Sequence, residues 1–157
     1  MKKLITVFAT LALQAACHSA PPATTSPRPV SSTSSNSGLT GAPDPTAAVR
    51  AFMAAANLQD LQALGGIWGD TNGPARDAIS RDELEKRELI MLRCLRHDRY
   101  DVVGDAPSSG GSRTLAVSVT FRDVTTSANF TVVRGPAGRW YVQNVDLDSL
   151  QKICSAK

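Results

Sequence analysis

At 157 residues the chain has room for one domain and hardly for two. Its net charge of +3 traces to Lys2, Lys3 and Arg28, so residues 44–157 carry acidic and basic side chains in equal number. A neutral domain with no basic run excludes the nucleic-acid binders, whose affinity comes largely from neutralising phosphates.

The chain opens on Met1, Lys2 and Lys3, and residues 4–13 (LITVFATLAL) then run uncharged. That run is too short to span a bilayer as a helix and suits the apolar centre of a secretory signal. With the small residues Ala15 and Ala16 before Cys17, residues 1–16 read as a signal peptide. Residues 18–43 hold five prolines, seven serines and four threonines, with Arg28 the only residue charged at neutral pH. So little apolar material cannot offset the entropy of ordering a backbone. Residues 17–43 are therefore expected to form a disordered tether of roughly 25–30 Å root-mean-square span. The folded domain is expected over 44–157.

Cysteine usage agrees with export. If Cys17 is consumed at the cleavage point, Cys94 and Cys154 remain, an even number in an oxidising compartment. Their pairing is the expectation, with two separate buried thiols as the alternative. Two cysteines so far apart, with only His97 near one of them, lack metal-site spacing, so no metal or other cofactor is expected.

Asp44 and Pro45 mark a helix start, as N-cap and first helical residue. Val49, Phe52, Met53 and Ala56 repeat at helical spacing behind them, which predicts an amphipathic helix over 45–56 with Asn57 as its stop. A second short helix follows over 59–64, closed by Gly65 and Gly66. Residues 69–79 (GDTNGPARDAI) read as a turn-rich connection. Ser80 and Glu83 have the spacing of a capping box, opening a helix to about Leu95. Leu84, Met91, Leu92 and Leu95 form its apolar stripe with Leu89 beside it, and Arg81, Glu85, Lys86, Glu88 and Arg96 read mostly as a solvated face.

After His97 the period changes from 3.6 to 2. Strands are predicted over 100–104, 115–121, 129–134 and 140–145, with a turn at 125–127 and a tight hairpin at 135–138. The tail 146–154 reads as one or two helical turns. Helices followed by a run of strands predict an α+β domain: N-terminal helices packed on a curved antiparallel sheet of about four strands.

The segments "PTAAVRAFMAAANLQDLQALGGIW" (45–68) and "GPAGRWYVQNVDL" (135–147) enclose this order. Over residues 45–147 the chain resembles the nuclear-transport-factor-2-like superfamily, a cystatin-like α+β cone of curved sheet backed by helices. The resemblance implies a cavity between sheet and helices. Some members, such as ketosteroid isomerases, use it for acid–base chemistry with an Asp base and Tyr/Asp donors. Others bind a ligand or a protein there, and some have it filled.

No catalytic set stands out in the sequence. His97 lies in a hydrophilic corner and reads as a surface or helix-end residue. Asp101, Asn144 and Asp146 fall near strand positions, where turn or cap duty competes with pointing into a cone. Trp68, Tyr100, Phe121, Trp140 and Tyr141 are candidate pocket residues, with core packing as the competing duty.

Small residues before a cysteine make the N-terminus resemble that of a bacterial lipoprotein, with Cys17 as the acylated residue. Gln14 departs from that pattern, which usually has Leu three places before the cysteine. The resemblance implies an exported protein held in the membrane through its N-terminal lipid, the periplasmic face of the outer membrane being favoured. Without acylation of Cys17 it is secreted. The expected function is non-catalytic: a cell-envelope domain binding a protein partner or a small apolar ligand. The alternative is a cone-fold isomerase or hydratase using Asp101 or Asp146 with a Tyr.

Overall fold

A computed structural model describes residues 40–156. The signal peptide, Cys17 and the tether as far as residue 39 lie outside the described residues.

Helix α1 (Pro45–Leu58) starts where its signals place it: the Asp44 carboxylate accepts from the Ala47 amide at 2.8 Å. It runs past Asn57 and stops at Gln59, whose left-handed backbone (φ 54°) turns the chain. Helix α2 (Leu61–Ile67) is capped by Asp60 and passes through Gly65 and Gly66 without breaking. These glycines are contact residues, because a Cβ on Gly65 would stand 2.9 Å from Glu88 Oε1 and 3.1 Å from Leu84 Cδ2. The turn-rich stretch holds a two-residue hairpin, β1 (Gly69–Asp70) with β2 (Gly73–Pro74), and the single-turn helix α3 (Ala75–Ala78). Helix α4 (Arg81–Cys94) follows without the expected capping box. Ser80 makes no side-chain cap bond, and Glu83 is engaged by Arg87 at 2.7 Å instead.

Strands β3 (Arg99–Pro107), β4 (Arg113–Phe121), β5 (Val124–Arg134) and β6 (Trp140–Val145) form one antiparallel sheet in that order. The expected turn at 125–127 belongs to β5, and the chain reverses instead at Arg122 and Asp123. Alternation explains the difference: Ala128 and Phe130 are buried, and Thr126 sits on the same face with its hydroxyl donating to the Ser149 carbonyl at 2.9 Å. Register shifts leave Val103 in β3 and Gln143 in β6 as extra residues, and such bulges bend a sheet. The molecule is thus α+β, helices followed by a four-stranded antiparallel sheet.

One sheet face, with Leu115, Val117, Val119, Ala128, Phe130, Val132 and Val142, is buried against Val49, Phe52 and Met53 of α1 and Leu64 of α2. Phe52 meets Phe130 edge to face, centroids 6.3 Å apart. The opposite face carries Thr and Ser at alternate positions, as an antiparallel sheet with one solvated side should.

Beyond β6, Ala42 bridges antiparallel to Trp140 and Trp68 bridges parallel to Val142. The ordered chain is thus under way before Asp44. Arg139 donates to the carbonyls of Thr40 at 3.1 Å and Gly41 at 2.6 Å.

The tail folds into helix α5 (Gln151–Ser155), and Cys94 and Cys154 are bridged, sixty residues apart in sequence. Around the bridge Arg93 donates to the Cys154 carbonyl and Arg96 to that of Ala156. In the Cys17→Ser chain, thiol titration of the unfolded, unreduced protein is expected to find no free thiol. Reduction should lower stability by about 4 kcal/mol on the chain-entropy account of a loop this long. Phe130→Ala should cost about 3–5 kcal/mol in urea unfolding, the usual range for emptying an aromatic site in a core.

Candidate functional site

The space between helices and sheet is the first place to look for chemistry, and it is occupied by apolar side chains. Val49, Phe52, Met53, Leu64, Leu115, Val117, Val119, Phe130 and Val132 are all fully buried. The carboxylates considered for acid–base work stand elsewhere. Asp101 is exposed on β3, the edge strand. Asp146 accepts from the Ser149 hydroxyl at 2.6 Å and its amide at 3.2 Å, and the hydroxyl bond holds its carboxyl below the usual range. Asn144 is exposed.

The five candidate pocket aromatics are not gathered in one cavity. Tyr141 is buried on the sheet face opposite Val142, against Gly41 and Gly135, where a Cβ on either glycine would come within 2.8 Å of its ring. Trp140 is half-buried in the ladder to Ala42. Phe121 lies under two guanidinium groups, Arg96 at 5.0 Å and Arg122 at 5.4 Å. Tyr100 packs edge-on against His97 at 5.1 Å, and burial pushes its phenol up, with Arg50 opposing. Of the two duties expected for His97, surface or helix end, it has the second. It is buried, and its Nδ1–H donates to the Leu95 carbonyl at 2.8 Å.

Only Trp68 of the five lines either of two clefts on the outside of the fold. The first, about 270 Å³, lies between Trp68, the β1–β2 hairpin, Ala75, Ala78, Ile79 and Gln143, with Asp70 at its rim. The Trp68 indole donates to the Gln143 carbonyl at 3.3 Å, which fixes the ring as one wall. The bulge in β6 supplies that carbonyl. The second, about 490 Å³, is a groove between α4 and α5 lined by Leu89, Ile90, Arg93, Gln151, Ser155 and the disulfide. Leu89 is 54% exposed and Ile90 65%.

Glu88 departs furthest from expectation. It is 2% exposed, and its Oε1 finds no hydrogen-bond partner among the described residues. Burial, with the nearby Glu85 charge adding to it, pushes its carboxyl up to about 7. The signal was in the spacing: Leu84, Glu88, Met91 and Leu95 follow one another at helical intervals and all four are buried. Gly65, free of a side chain, leaves the room for it. Perturbed carboxyls often mark functional sites. Neither cleft is lined by Glu88, so its carboxyl bears on the α2–α4 contact.

No protein-family model, curated protein or solved structure matches the chain. Among the described residues no helix is long and apolar enough to cross a membrane, and no group of three or more His, Cys, Asp or Glu is placed to hold a metal.

The Glu88 carboxyl fixes the sign of a pH effect. The folded state binds its proton more tightly than the unfolded chain, so this stability is complete below about 4.5 and is lost as pH rises through about 7. Urea unfolding should show a loss of about 2–3 kcal/mol across that window. Glu88→Gln should remove this part of the slope, and an unchanged slope would assign the titration to another group.

Proposed function

We propose that the chain is an exported lipoprotein, acylated at Cys17, whose folded part is a non-catalytic domain of nuclear-transport-factor-2-like type. In this reading it works in the cell envelope, at the periplasmic face of the outer membrane, binding a protein partner or a small apolar ligand. The observation that carries the non-catalytic part is the filled interior. A cone-fold enzyme needs an open cavity with a carboxylate and a phenol near a common point, and here Phe52, Phe130 and their aliphatic neighbours take that volume. Binding then falls to the outer surface, where the Trp68 cleft offers an apolar floor with polar groups at Asp70 and Gln143. The order of helices followed by a four-stranded meander supports the superfamily part of the reading. The Cys94–Cys154 bridge suits an oxidising compartment.

Metabolic labelling with a fatty acid tests the anchor. The wild-type chain is expected to take the label and Cys17→Ser to lose it. Undiminished label on Cys17→Ser would overturn the lipoprotein reading.

A further inference from the structure

The outward side of α4 is unlike the rest of the helix surface. Leu89 and Ile90 stand adjacent and exposed at the mouth of the α4–α5 groove. Lys86 lies one turn before Ile90 and Arg93 one turn after Leu89, the helical spacing that shares a face. Arg93 is exposed, yet its Nε is held by the Cys154 carbonyl at 3.1 Å, which fixes its stem beside the groove. Lys152 is exposed on α5, the helix that forms the other wall of the groove. Of the acidic residues on α4, exposed Glu85 lies a turn before Leu89 and exposed Asp82 further back, while half-buried Glu83 is occupied by Arg87. An apolar pair flanked on both sides by cations matches an anionic interface with an apolar layer beneath it.

We propose that the α4–α5 face docks the domain on an anionic phospholipid surface, Leu89 and Ile90 entering the headgroup boundary while Lys86, Arg93 and Lys152 meet the phosphates. The proposal rests on the lipoprotein reading for its biological setting. Each cation near such a surface strengthens association about fivefold. That is weak for a free protein, but attachment to the same membrane makes the second contact intramolecular, and a weak face then suffices.

The test separates docking from acylation. The chain from position 17, carrying Cys17→Ser and an N-terminal histidine tag, is held on vesicles through a nickel-chelating lipid. It is thus tethered whether or not Cys17 is acylated in the cell. Ile90→Trp is the reporter, read as the difference from the parent chain, which keeps Trp68 and Trp140. On phosphatidylcholine vesicles with about one third phosphatidylglycerol, brominated acyl chains should quench the added emission roughly twofold. Lys86→Gln with Lys152→Gln should weaken that quenching, as should pure phosphatidylcholine. Emission unaffected by bromine overturns the proposal, and a blue shift without quenching does the same by placing a second copy on the face. Loss of the fatty-acid result at Cys17 would leave this outcome standing.

Discussion

Phe52 against Phe130 is the contact on which the rest of the structure depends. It joins the first helix to the centre of a sheet completed nearly a hundred residues later, and it lies where strands and helices are both fully buried. Every other element is placed relative to that layer. Helix α2 and the hairpin after it lie along β6, and the C-terminal helix is bridged covalently to α4. The same contact decides what kind of site the fold can offer. Phe52 and Phe130 fill the space between helices and sheet, and the two clefts described lie on the outside of the fold.

Much of this order was legible in the sequence, because it rests on local chemistry. Asp44 with Pro45 and the alternation from Leu115 to Phe121 need only a neighbour or a period to be read, and the even pair Cys94 and Cys154 needs only a count. Other features depended on residues far apart in the chain. Gly65 and Gly66 look like a helix stop when only their neighbours are considered. In the fold they are the places where α4 and Arg76 come close. Ser80 and Glu83 have capping-box spacing, but Arg87, one turn on, competes for the carboxylate and holds it. His97, read as a polar corner, is covered by Tyr100 once β3 is in place.

The candidate site was less legible than the fold. Of the five aromatics considered for a common pocket, Trp68 lines a cleft, and the others are scattered, partly by the sheet alternation that sends Tyr141 and Val142 to opposite faces. Glu88 was hidden by its charge: a carboxylate on a charged helix is assigned to solvent by type, although its position belongs to the apolar stripe. Spacing outranked residue type there, and the buried carboxyl near neutrality is the result.

The two ends of the sheet also differ in a way that matters while the chain is folding. At β6, Ala42 and Trp68 occupy the outer ladder positions, so a neighbouring polypeptide has little free backbone to pair with. At β3 no strand of the described residues pairs with the outer edge, but the extra residue Val103 breaks its register and Pro107 at its end has no amide to donate. Arg99, Asp101 and Asp105 place charge along the same strand. An intruding strand would meet a kinked and charged edge, the arrangement by which natural sheets resist growing into one another. For a crowded population of half-folded copies, that asymmetry limits edge-to-edge aggregation before the disulfide has closed.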